Sequence, residues 1–176
     1  QHLVCRQSVL GVSGQTASGP LQALCISLLG DEAIQDADRL LKANSNAVLT
    51  LTCLNHVPDI SQTRLERIFQ AANNVEVQIK CVRMMKGKLQ RRCATDLLSG
   101  TSNPGAIIEC LKICNDLPAP VVMELLESHD NVNVRVACLK KIGKHDKTVA
   151  RKFLKESEHD YVLCWCLDGL GDEAKP

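Results

Sequence analysis

Ten cysteines in a chain of 176 residues are the side chains here with the most chemistry to offer: disulfides, a thiolate metal site or a nucleophile. Six form a ladder, Cys25, Cys53, Cys81, Cys110, Cys138 and Cys166, at intervals of 28, 28, 29, 28 and 28 residues. A zinc site wants Cys-x-x-Cys or Cys/His pairs. The closest pair is Cys164-x-Cys166, and on a helix two such side chains face different ways. A disulfide needs Cα atoms within about 7 Å, whereas equivalent residues on stacked helices stand about 8–10 Å apart. The ladder therefore reads as free thiols used as small apolar core residues, which implies a reducing compartment, cytoplasm or nucleus. Cys5, Cys93, Cys114 and Cys164 lie off the ladder. Cys93 is expected in a second helix of its repeat and Cys114 on the apolar face of a first helix.

The other chemistry-bearing residues form no constellation. His2, His56, His129, His145 and His159 fall mostly at expected turns and caps. No Gly-rich phosphate loop or nucleophile motif is present, so no catalytic residue, metal or cofactor is expected. Trp165, the single tryptophan, stands between Cys164 and Cys166 and is expected to pack over the last layer or against a next repeat rather than hold a ligand.

The elements that position the ladder follow from its columns. Ile26, Leu54, Val82, Leu111, Leu139 and Leu167 stand one residue after each cysteine, and Leu21, Leu49, Val77, Ala106, Val134 and Val162 four before. Four after stand Leu29, Val57, Met85, Cys114, Ile142 and Leu170. These offsets share one face of an α-helix. A further apolar column two before each cysteine (Ala23, Leu51, Ile79, Ile108, Val136, Cys164) widens that face. Ser18, Asn46, Asn74, Asn103, Asn131 and His159, seven before, are placed as N-caps, with Pro104 in the first helical position after Asn103. Breakers such as Pro58-Asp59, Gly87, Asn115-Asp116, Gly30-Asp31, Gly143 and Gly171-Asp172 end the first helix. A second helix then carries an apolar pair, Leu40-Leu41, Ile68-Phe69, Leu97-Leu98, Leu125-Leu126 or Phe153-Leu154. The 29-residue interval puts one extra residue in the third turn or the start of its second helix.

A fixed period of this length marks a repeat protein. The expected units are 18–45, 46–73, 74–102, 103–130, 131–158 and a partial 159–176. Residues 1–17 are expected to be an N-terminal cap or the remnant of a preceding repeat, with a helix over 2–10. The chain is expected to be a fragment of a larger protein, because it lacks an initiator Met and stops one helix into a repeat. That truncation is expected to expose the apolar flank of Val162, Cys166 and Leu170, opening a route to self-association.

The stretch from Asn131 to Gly143, NVNVRVACLKKIG, resembles the D-x-x-V-R-x-x-A-x-x-x-L-G motif of HEAT-like repeats, with Arg135 in the Arg position. Asn74 to Cys81 is a weaker copy carrying Gln78 there. The pattern is similar to short HEAT-like repeats of the armadillo and phycobilin-lyase type over 18–176. The resemblance implies an all-α, right-handed α-solenoid of about six two-helix repeats whose second helices line a concave face.

Charge is where the repeats differ. The net charge is +1 and aromatics make up only 2%, which disfavours stacking-based binding of single-stranded nucleic acid. The third repeat sets Lys80, Arg83, Lys86, Lys88, Arg91 and Arg92 against Glu76 and Asp96, a net of +4. The fourth nets −4 and the fifth +5. Such bands fit either ion pairing between neighbouring repeats or selection of an oppositely banded partner. On the second helices the partner-binding candidates are Arg64, Arg67, Arg91, Arg92, Lys147, Arg151 and Lys155, facing an acidic protein segment. The leading expectation is a non-enzymatic protein–protein interaction scaffold. The alternatives are nucleic-acid binding through repeats three and five and a phycobilin-lyase-like chromophore protein. No membrane partner is expected: the longest charge-free run, Gln7 to Gly30, is interrupted by Gly, Pro, Ser and Thr.

Overall fold

A computed structural model describes residues 19–29, 34–43, 46–142 and 146–170. Among these residues every regular element is an α-helix. In chain order they are α1 (Gly19–Leu29), α2 (Ile34–Ala43), α3 (Ala47–His56), α4 (Gln62–Ala71), α5 (Val75–Met84) and α6 (Gly87–Gly100). They continue as α7 (Pro104–Ile113), α8 (Ala119–Ser128), α9 (Val132–Ile142), α10 (Lys147–Glu156) and α11 (Asp160–Leu170). Several expectations lie outside the described residues: the 2–10 helix, the Ser18 cap, Cys5, His2, His145 and the breakers at 30–31, 143 and 171–172.

Most of these helices have ten or eleven residues, a length at which an isolated helix is marginal in water. Caps and burial hold them. Asn46 Oδ1 accepts from the Leu49 N–H at 3.0 Å, Asn74 Oδ1 from Glu76 and Val77, Asn103 Oδ1 from Ala106, and Asn131 Oδ1 from Asn133 and Val134. Pro104 follows its cap in the first turn. Ser61 and Asp146 cap α4 and α10 in the same way.

The chain divides into two compact units, 1–93 and 94–176. In the first, α1 packs on α3 and α3 on α5, while α2 lies against α3 and α4 against α5. In the second, α7 packs on α9 and α9 on α11, with α8 against α9 and α10 against α11. The ladder sits at the centre of this packing: Cys53, Cys81, Cys110, Cys138 and Cys166 have no solvent exposure, and Cys25 is 3% exposed. Leu49, Val77, Ala106, Val134 and Val162 are buried beside it. From the second helices come Ala37, Leu65, Ala94, Val122 and Ala150, together with at least one member of each apolar pair. No buried side-chain nitrogen or oxygen among the described residues lacks a hydrogen-bond partner.

Four expectations are corrected. Cys114 is buried, but it is the C-cap of α7 rather than a residue of its face; its N–H donates to the Cys110 carbonyl at 3.1 Å. Val57 and Met85 hold the same position, because α3, α5 and α7 end three residues after their cysteines, whereas α1, α9 and α11 run on to the fourth. The column two before the cysteine is buried at Ala23 as expected, but only half-buried at Leu51, Ile79, Ile108 and Val136 and exposed at Cys164. Two residues turn a helix by about 200°, so that column looks away from the ladder. Val162, Cys166 and Leu170 are buried, not exposed, because α11 lies against both α9 and α10. The exposed apolar residues of α11 are Tyr161 (80%) and Leu167 (44%).

The extra residue of the third unit is absorbed within α6. That helix starts at Gly87, with only two residues between it and the end of α5, and has 14 residues where α4, α8 and α10 have 10. Four added residues make about one turn, so Leu97 and Leu98 still face inward, both buried. Gly87 has φ +58, a left-handed conformation that glycine adopts without strain.

The residues carrying the HEAT resemblance have a structural task. Arg135 Nε donates to the His129 carbonyl at 2.8 Å, and Gln78 Nε2 to the Ala72 carbonyl at 3.0 Å. Each ties its helix to the turn that leads into it, six residues back.

Candidate functional site

The seven basic candidates lie on α4, α6 and α10. On α4, Leu65 and Phe69 point into the core and Ser61 caps the start. This leaves Arg64, Arg67, Ile68 and Ala71 along another side, where they line a cleft of about 800 Å³ in the first unit. Leu41 at the end of α2 and Val77 at the start of α5 also line it. The polar remainder is Ser, Thr and Asn, and no carboxylate lines the cleft among the described residues.

Arg64 and Arg92 are engaged by acids on other second helices. The Arg64 guanidinium bonds both the carboxylate and the backbone carbonyl of Asp38 on α2. Arg92 on α6 pairs with Glu66 on α4. In the second unit Lys152 on α10 bonds Glu127 on α8 at 2.7 Å, and this bond with Glu127 is the main reason its pKa is raised. These three pairs span 26, 26 and 25 residues, each joining an acid on one second helix to a base on the next second helix of the same unit. The sequence carried the signal as an acid followed by a base about one period later, visible only once the second helices are aligned. Lys141 adds a longer contact of the same kind, 3.4 Å to Asn115 Oδ1 in the preceding turn. Gln62 holds the α5–α6 turn: its Oε1 accepts from the Lys86 N–H at 2.9 Å, and its Nε2 donates to the Met84 carbonyl.

The remaining candidates are exposed. Arg91 lies beside Arg92 on α6. Lys147, Arg151 and Lys155 recur every four residues on α10 and so share one face. Arg67 and Lys155 form no ion pair among the described residues.

The thiols are poor nucleophiles by environment. Burial pushes Cys81, Cys110 and Cys138 up to about 12 and Cys53 to about 11; neighbouring Cys93 and Cys114 add to the rise at Cys81 and Cys110. The described cysteines are all free thiols, and Cys164 alone of them is exposed. Among the described residues no group of three or more His, Cys, Asp or Glu is arranged to hold a metal ion. His56 is half-buried in the last turn of α3. His129 caps the end of α8, its Nδ1 accepting from the Asn131 N–H at 3.0 Å. Trp165 is half-buried on α11. No described helix is long and apolar enough to cross a membrane.

The residues that sequence reasoning missed are the acids Asp38, Glu66 and Glu127 that engage the bases, and the apolar floor of the cleft. The floor has no sequence signal of its own, because a gap depends on how far apart two helices sit. Comparison with protein-family models, curated proteins and solved structures finds no match to this chain.

Proposed function

We propose that this all-helical chain is a non-enzymatic interaction scaffold, an α-solenoid of about six two-helix repeats with a period of about 28 residues. In this reading the second helices present the partner-binding surface and the partner offers an acidic protein segment. The repeat reading is supported by successive first helices packing on one another within each unit. It is supported too by asparagine caps at the same place before the ladder cysteine. The observation that carries the binding reading is that Arg67 and Lys155 stay exposed and without an ion pair among the described residues, although neighbouring bases on α4, α6 and α10 are paired.

The test reverses Arg91, Lys147, Arg151 and Lys155 to Glu together and compares proteins captured from lysate by this variant and by the unaltered chain. A partner lost by the variant, with an unchanged circular-dichroism melt, supports the reading; an identical captured set sinks it. A second reading, duplex nucleic-acid binding, draws on the basic face of α10 (Lys147, Arg151, Lys155). Binding to a short duplex that weakens steeply with added salt would favour it over an acidic protein partner.

A further inference from the structure

The cleft along α4 is a feature of the first unit that the ion-pair series does not explain. At the spacing of that series, the residue 26 before a base is an acid for both Arg64 and Arg92. The residue 26 before Arg67 is Leu41, which lines the cleft. Arg67 is therefore left as an exposed guanidinium at the edge of an apolar strip of Leu41, Ile68 and Ala71, with no carboxylate in the lining among the described residues. Arg64, one turn earlier, is held against Asp38 and forms a fixed wall of the cleft.

We infer that this cleft docks an extended, acidic segment of a partner protein in which a carboxylate side chain and an aliphatic one stand two residues apart. The inference rests on the scaffold reading above and names the chemistry of one of its sites. The guanidinium fork of Arg67 matches a carboxylate with two parallel N–H···O bonds. The strip beside it takes the aliphatic side chain, whose burial supplies affinity that charge alone does not. α4 spans about 15 Å at 1.5 Å per residue, room for about four or five extended residues at roughly 3.3 Å each. In an extended segment alternate side chains face the same way. A carboxylate and an aliphatic side chain two positions apart therefore meet Arg67 and the apolar strip together, while the residues between them face solvent.

Fluorescence anisotropy with labelled, end-capped hexapeptides tests this. The first probe carries leucine and glutamate in turn at every second position with serine between; lysine replaces glutamate in the second, and serine replaces leucine in the third. The leucine–glutamate peptide should bind saturably, and the other two at least tenfold more weakly. Arg67→Glu should weaken the leucine–glutamate peptide at least tenfold. Ala71→Trp, which fills the cleft and leaves its charge alone, should do the same, with helicity by circular dichroism unchanged. The inference is overturned if the leucine–glutamate peptide fails to bind, if neither substitution weakens it, or if the serine–glutamate peptide binds equally well. Because Arg67 is not among the residues reversed in the scaffold test, a partner still lost there while the peptides fail would remove the cleft and leave the scaffold reading standing.

Discussion

The first and second helices of this chain answer to different physical demands. On the first helices the ladder cysteine, its neighbour four residues before and the asparagine cap recur with little variation, and from α3 onward the ladder residue has no exposure at all. On the second helices only the inward residues recur. The outward ones differ in charge from one second helix to another, and some form pairs to the next second helix while Arg67 and Lys155 do not. A residue packed against the layers before and after it must fit both, so its size is tightly limited. A residue facing solvent is limited only by its charge neighbours. Periodicity therefore reports the fold, and departures from it report where specificity can reside.

The comparison breaks most visibly in the core. Leu139→Ala, at a position with no exposure, should cost about 2–5 kcal/mol, read from denaturant midpoints at a constant m-value. Lys155→Ala on the exposed face of α10 should stay within about 0.5 kcal/mol. Similar costs for the two would erase the distinction between the helix faces.

Alkaline pH probes the ladder as a set. An unfolded cysteine loses its proton near its ordinary value of 9, while the folded Cys81, Cys110 and Cys138 keep theirs to about 12. Above pH 9 the unfolded state thus binds fewer protons than the folded one, and stability falls as pH rises. The contribution is complete below pH 9 and is progressively lost toward 12. Denaturation at pH 8, 9 and 10.5 should show this decline, and Cys110→Ala should make it shallower. An equal slope in both would mean that the thiols do not carry it.

Asn103→Ala removes the acceptor that holds the Ala106 N–H at 3.1 Å. It should cost about 0.5–2 kcal/mol of thermal stability, with Asn103→Asp recovering most of the loss. The smallest effect belongs to the second-helix pairs. A double-mutant cycle on Arg92 and Glu66 should return under about 1 kcal/mol, and less at high salt, because Arg92 is 57% exposed. A coupling of several kcal/mol would make these pairs part of what holds the second helices together rather than a tuning of their surface.

Helix positions and inward faces were legible in the sequence because burial acts on residue type at a fixed spacing: Cys81, Val82 and Val77 all lie inside where their columns place them. Cys114 was misjudged by one residue because a C-cap and a last helical residue occupy nearly the same place in a linear pattern. The end flank of α11 was misjudged because the columns alone show no helix after it, while α9 and α10 lie against α11 and Val162 and Cys166 are buried. Of the candidate site, the basic residues were visible and their standing was not. Nothing local to Arg64 or Arg92 distinguishes it from Arg67.

By itself the sequence determined the all-helical character, the first-helix caps and the buried thiol column, since each depends on side chains a few residues apart. Only the tertiary structure decided that α6 lengthens by a turn, that Arg64 and Arg92 are spent on neighbouring helices, and that a cleft opens beside Arg67. These outcomes depend on distances between helices that are remote in the chain. Such distances come from the packing of whole layers, which no single window of residues encodes.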